Sequence, residues 1–142
     1  MQNRLFRFGI PVAAHSDDQM QQMAAAVAGP GTAVVGISSS GTLPSLCRAL
    51  ETAASCGART VAIAPQGSPL AAPAGTSIAF HAGEDARITK PTALRYGLLV
   101  LVDLVAMTVA ESLGAEGIER LRRVRMSLTP IRGDAPYVPL GD

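Results

Sequence analysis

Tryptophan is absent from this chain, lysine occurs once (Lys90), cysteine occurs twice, and aromatic residues make up only 4%. Each scarcity narrows the reading. Without large aromatics, a core has to be assembled from Ala, Val, Leu and Ile, and an apolar fraction of 48% in 142 residues supplies enough of them for one domain. A net charge of +1 excludes a strong general field for DNA or an anionic membrane. Cys47 and Cys56 lack the C-x-x-C spacing of a zinc or redox site. Both fall in one expected helix, where a disulfide is geometrically disfavoured. They read as two small reduced residues of a cytoplasmic protein. The opening MQNRLFRFG has no apolar h-region of a signal peptide. No residue grouping calls for a metal or a cofactor. The apolar run Leu98–Ala110 is interrupted by Asp103 and falls short of the ~20 residues of a membrane span. It reads as a core helix that buries two sides.

What is present is an alternation of short β-rich runs and helical stripes. Residues 2–8 suit a helix closed by Gly9, and Ile10–Ala14 a short strand. Ser16 followed by Gln19 suits a capping box. Met20, Met23, Ala24 and Val27 then share one face of a helix that Gly29-Pro30-Gly31 stops. Thr32–Ile37 is a nearly wholly apolar strand of the kind buried on both faces of a parallel sheet. Pro44 suits the first turn of the next helix. Leu43, Leu46, Cys47, Leu50 and Ala54 form that helix's stripe, and Gly57 ends it. Thr60–Ala64 and Thr76–His81 are further strands, separated by a loop at Pro65–Pro69. A long helix opens at Pro91 and runs to about Leu113. A last one, Glu116 to Leu128, turns Ile118, Leu121, Val124 and Leu128 inward. Residues 1–128 form the domain, and the tail, 129–142, reads as irregular. The fold class is α/β, a parallel sheet with helices on both faces.

Ligands of open α/β sheets bind beyond the carboxyl ends of strands. Ser38, Ser39, Ser40, Gly41 and Thr42 occupy such an end and lead into a helix. Their hydroxyls, the close approach that a glycine permits and the helix N-terminus suit an anion such as phosphate. The same five residues also suit a polar turn whose serines cap the helix.

The run VVGISSSGTLPSLCRALETAASCGARTVAIAPQGSPLA resembles the sugar isomerase (SIS) domain family. That family carries a strand ending in S-x-S-G-x-T, a helix, a G-A-x-x-[ILV] lead into the next strand, and a loop with S-P-L-A. Ser38, Ser40 and Gly41 match the first motif. Gly57-Ala58 and Ser68-Pro69-Leu70-Ala71 match the others. The stretch LFRFGIPVAAHSDDQMQQMAAAVAGPGTAVVGIS is similar to RpiR-type transcriptional regulators, whose sensor half is a SIS domain. Arg95 and Asp103 fall where that group carries S-R-x-x-x-x-x-x-x-D. The resemblance implies a flavodoxin-like domain lacking its first strand, because the sequence begins in the helix that should follow that strand and its Gly- and Ser-containing loop. Ile10–Ala14 is then expected to pair with Thr32–Ile37 or with a second copy. Three departures stand out. Leu43 replaces the motif's final Thr, Leu94 the Ser of S-R, and Gly75 an expected Asp.

The resemblance implies a sugar phosphate as partner. Three functions compete: a phosphosugar-binding sensor of an RpiR-type regulator, an aldose–ketose isomerase, and a dimerisation module whose site has decayed. Isomerisation needs a base and an acid. His15, His81, Glu51 and Glu84 are the candidates, and no pair has a spacing that forces a shared site, so no catalytic residue is assigned. Glu116 and Glu119 sit one turn from Arg120 and Arg123, which suits helix-surface ion pairs and argues against nucleic-acid contact. The helix Thr92–Leu113, apolar on more faces than one sheet covers, implies a homo-oligomer with that helix in the interface.

Overall fold

Three short apolar runs set the frame. In the computed structural model, which describes residues 1–81 and 92–132, they form strands β1 (Ala33–Ile37), β2 (Arg59–Pro65) and β3 (Thr76–Phe80). Both pairings are parallel, in the order β1-β2-β3, with Val35 opposite Val61 and Ile63 opposite both Ile37 and Ile78. Four helices complete the described chain: α1 (Gln2–Phe6), α2 (Asp18–Val27), α3 (Pro44–Ser55) and α4 (Thr92–Arg132). The described residues gather into two compact units, one spanning His15–Leu98, the other Met1–Ala14 together with the described residues from Leu99.

In the first of these units the sheet is dressed by α3, which packs on β1 and β2, and α2 packs on α3. Central β2 has Ala62, Ile63 and Ala64 fully buried. One cluster joins Leu50 of α3 to Ala62, Ala64 and Leu70, with Val34, Leu46 and Cys47 packed against it. A second cluster is almost entirely alanine: Ala25 and Ala28 meet Ala49, Ala53 and Ala58.

That alanine cluster corrects the face expected for α2. Met20, Met23 and Val27 point outward, Val27 with 84% of its surface exposed. Small side chains let two helices approach closely, so the seam is built from alanines and the bulky residues face away. The α3 stripe shifts similarly. Leu46, Cys47, Ala49, Leu50 and Ala53 face inward, whereas Leu43 and Ala54 are exposed.

Other expectations shift for local reasons. Asp17, not Ser16, caps α2; its Oδ1 accepts from the Met20 amide at 2.9 Å. That leaves Gln19 in the first turn and no reciprocal box. Ile10–Ala14 forms no strand. Pro11 has no N–H to give a ladder, and Ala13-Ala14 has little β preference. β1 is accordingly an edge of the three-stranded sheet, and its burial on both faces is incomplete, with Ala33 and Ile37 exposed.

In the second unit, α1 ends in a turn at Gly9, whose φ of +74° suits glycine. Arg120 Nη1 donates to the Phe8 carbonyl at 2.7 Å, and Arg4 pairs with Asp103 at 3.1 Å. α4 is interrupted at Gly114 (φ 54°, ψ −136°), close to the expected end near Leu113. Beyond the break, Ile118 faces outward, contrary to expectation, while Leu121, Val124 and Leu128 are half-buried. Thr129 to Arg132, expected to be irregular, continue the helix. The rest of the tail and the connection Gly83–Thr89, with Pro91, lie outside the described residues.

α4 is long and apolar enough, by length and composition, to cross a membrane. It is not the two-sided core helix expected: Tyr96, Leu99, Val100, Leu104 and Met107 are more than half exposed.

These burials define a contrast that urea denaturation can read. Leu50→Ala is expected to cost about 2–5 kcal/mol as a core truncation. Val27→Ala is expected to stay within about 0.5 kcal/mol. Equal losses from the two would contradict the outward orientation of the Met20–Val27 stripe.

Candidate functional site

Because β1 and β2 run parallel, the segments that follow them emerge at the same edge of the sheet. There Ser38–Thr42 meets Ser68–Ala71. The Ser38 amide extends the ladder, donating to the Ile63 carbonyl at 3.0 Å, and the Leu70 amide donates to the Gly41 carbonyl at 2.9 Å. Leu70 is fully buried, so the second bond fastens the exposed serine loop to the core.

Inside the loop the hydroxyls are already ordered. Ser38 Oγ accepts from the Gly41 amide at 2.9 Å. Ser40 Oγ accepts from Thr42 Oγ1 at 3.0 Å, with the Thr42 amide further off at 3.4 Å. Gly41 is buried with φ at +64°, and a Cβ built there would collide with Ser68 Oγ. Glycine is therefore required twice, by conformation and by space. Ser39, Ser40 and Thr42 are exposed and Ser38 half-buried, so the loop faces outward.

Behind the loop stands the N-terminus of α3. Its N-cap is Leu43, which makes no side-chain capping bond, and Pro44 fills the first turn. An uncapped helix start leaves amide donors and the positive end of the dipole unsatisfied. Together these groups offer an anion several hydroxyl and amide donors. All five residues expected from the sequence are thus on one loop. Sequence reasoning did not single out Ser68 or the Leu70 amide as part of this setting, although both lie in the S-P-L-A segment.

Of the candidate acid–base residues, three lie among the described residues. His15 is exposed, and its carbonyl accepts from Gln21 Nε2 at 3.1 Å. Glu51 is exposed on α3; His81 is exposed just after β3, at the same sheet edge as the loop; Glu84 lies outside the described residues. Among the described residues no three His, Cys, Asp or Glu side chains group as metal ligands. A cavity of about 540 Å³ in the Met1–Ala14 and Leu99-onward unit is lined by residues including Arg4, Asp103, Met107, Leu121 and Arg125. None of its lining residues comes from the serine loop. On α4, Arg120 pairs with Glu116, and Arg122 and Arg123 both pair with Glu119. Hydrogen bonds from Arg122 and Arg123 hold the Glu119 carboxyl below its ordinary range.

A family model described as SIS domain matches residues 8–108. The HTH-type transcriptional regulator HexR of Escherichia coli (strain K12) is 31% identical over 140 residues, 99% of this chain and 48% of that protein. HexR of Pseudomonas aeruginosa is 34% identical over 131 residues, 92% of this chain and 46% of that protein. The bifunctional protein glk of Paraburkholderia xenovorans is 36% identical over 107 residues, 75% of this chain but 17% of that protein. The chain therefore spans about half the length of the HexR relatives and a small part of glk. The structure of the Vibrio vulnificus NanR protein complexed with ManNAc-6P superposes with a TM-score of 0.81 at 22% identity, covering 92% of this chain and 49% of that one. That likeness shows a shared α/β fold with a parallel sheet and flanking helices.

The double requirement at Gly41 is open to a melting experiment. Gly41→Ala is expected to lose at least about 1–2 kcal/mol from the left-handed backbone alone, and more from the contact with Ser68. Adding Ser68→Gly should return only the steric part. A Gly41→Ala protein as stable as the parent would refute this account of the turn.

Proposed function

The chain belongs to the SIS domain family, and we propose that it is the phosphosugar-binding sensor domain of an RpiR-type transcriptional regulator. Ser38, Ser39, Ser40, Gly41 and Thr42 hold the phosphate group. The observation that carries this reading is the uncapped start of α3 facing a loop of ordered hydroxyls. A phosphate dianion satisfies hydroxyl donors, free amides and helix dipole together, whereas a neutral sugar satisfies only the hydroxyls. Relatives that are transcriptional regulators align with nearly the whole chain, which supports a regulatory role over a catalytic one.

In this reading the sugar phosphate is the effector, and the protein is cytoplasmic. Arg120, Arg122 and Arg123 of α4 bind their own helix's carboxylates, so nucleic-acid contact is assigned to another part of the regulator. Binding of effector acts through a homodimer. The outward residues Tyr96, Leu99, Val100, Leu104 and Met107 recur at helical spacing, and a second copy of the chain covers them in preference to lipid. Asp103 in the same stretch, paired with Arg4, opposes burial in a bilayer.

Two measurements bear on this. Calorimetry with a panel of hexose and hexosamine phosphates is expected to find a binder. The Ser38→Ala/Ser40→Ala double variant should weaken it by about 1.5–3 kcal/mol per lost charge-assisted bond. Unchanged affinity in that variant would remove the loop from the site, and sustained isomerisation of any of these sugars would favour the enzyme. Sedimentation at low micromolar concentration is expected to give a dimer that Val100→Glu/Leu104→Glu dissociates. A monomeric parent protein would overturn the oligomer.

A further inference from the structure

Among the described residues, three buried side-chain oxygens have no hydrogen-bond partner: Gln21 Oε1, Ser45 Oγ and Ser68 Oγ. Two of the three flank the serine loop, Ser45 in the first turn of α3 and Ser68 in the segment after β2. Ser45 is only half-buried. Ser68 is 7% exposed, and burying a hydroxyl without a hydrogen bond is destabilising.

A serine opening a tight turn ordinarily folds its hydroxyl back onto the amides of that turn. Here those amides are taken. The Leu70 amide donates to the Gly41 carbonyl, and the Ala71 and Ala72 amides donate to the carbonyl of Ser68 itself. The hydroxyl instead lies against Gly41, at the place a side chain there would occupy. An alanine would fill this position without leaving an orphaned polar atom. The hydroxyl therefore weakens the ligand-free protein, at a point touching the proposed anion loop.

We infer that Ser68 is a positioning residue of that loop, and that its hydroxyl gains a hydrogen bond to the loop backbone when the loop closes on a phosphate group. The inference rests on the phosphate reading of Ser38–Thr42. A bound anion draws the loop's hydroxyls and amides toward itself, including Ser38 and Gly41, now bonded to each other. The peptide units around Gly41 turn with them and present Ser68 with an acceptor. The bound state then satisfies a group that the free state leaves orphaned, and this difference favours binding.

The test uses the whole chain, with inorganic phosphate and a hexose 6-phosphate as probes, and measures affinity alongside the melting temperature without ligand. Ser68→Ala is expected to bind roughly tenfold more weakly, the worth of about one hydrogen bond, with a ligand-free melting temperature equal to or above the parent's. Ser68→Cys, close in size but a poor donor, is expected to behave likewise and serves if the alanine variant fails to fold. Parental affinity in both variants overturns the inference. So does weaker binding accompanied by lower ligand-free stability, which would make Ser68 merely structural. If Ser38→Ala/Ser40→Ala weakens binding while Ser68→Ala does not, only the Ser68 role falls. If the parent binds neither probe, the phosphate reading falls and takes this inference with it.

Discussion

The hydrogen bond from the Leu70 amide to the Gly41 carbonyl is the joint on which this architecture turns. At one end is a fully buried leucine, packed among Leu50, Ala62 and Ala64. At the other is a surface loop of hydroxyls. The parallel register of β1 and β2 makes the joint possible, because it delivers both segments to one edge of the sheet. Gly41 makes it close, because any side chain there would collide with Ser68. The exposed polar loop is thereby anchored to the core at Gly41, with its hydroxyls held close to one another.

Much of this was legible in the sequence, for a physical reason. Strands buried in parallel sheets are uniform apolar runs, and AVVGI and RTVAIAP announce themselves. Glycines and prolines punctuate helices because their backbone restrictions are local, so Gly57, Pro44 and the break at Gly114 fell where expected. The serine loop's place, after a strand and before a helix, was readable from its flanking elements, while its phosphate reading came from the family resemblance. Faces were harder to read. The α2 seam is made of alanines, whose burial carries little pattern, and the outward Met20, Met23 and Val27 imitate a core stripe. Ile118 misleads in the same way. Ile10–Ala14 has only two β-forming residues and a proline, and no partner rescues it as a strand.

The outward apolar residues are connected to one another by what they lack. β1 is a strand of Ala, Val, Gly and Ile with an open edge and no charge, proline or bulge to discourage pairing. α2 exposes Met20, Met23 and Val27, and α4 exposes Tyr96, Leu99, Val100, Leu104 and Met107. Scattered exposed apolar residues are ordinary, but runs at helical spacing are not. The described residues thus leave apolar rows of α2 and α4 facing outward. On the proposed reading, recognition is local to one sheet edge, and the outward apolar rows are the surface that a second copy covers.

Leu43 brings these strands of argument together. In the family motif this position carries a threonine, which could cap α3 or donate to an anion. The leucine does neither, and it leaves the helix start without a side-chain partner. A capped helix would be more stable alone and less receptive, since its own hydroxyl would compete for the amides that an anion needs. The uncapped start and the orphaned Ser68 hydroxyl have the same character, each an unsatisfied polar group at one edge of one sheet. Unsatisfied groups at functional sites commonly trade stability for binding. On that view the replacement of threonine by leucine moves the burden of recognition from a side chain to the backbone amides of the loop and helix. On the proposed reading, the site then favours a compact, highly charged group that several amides can reach together.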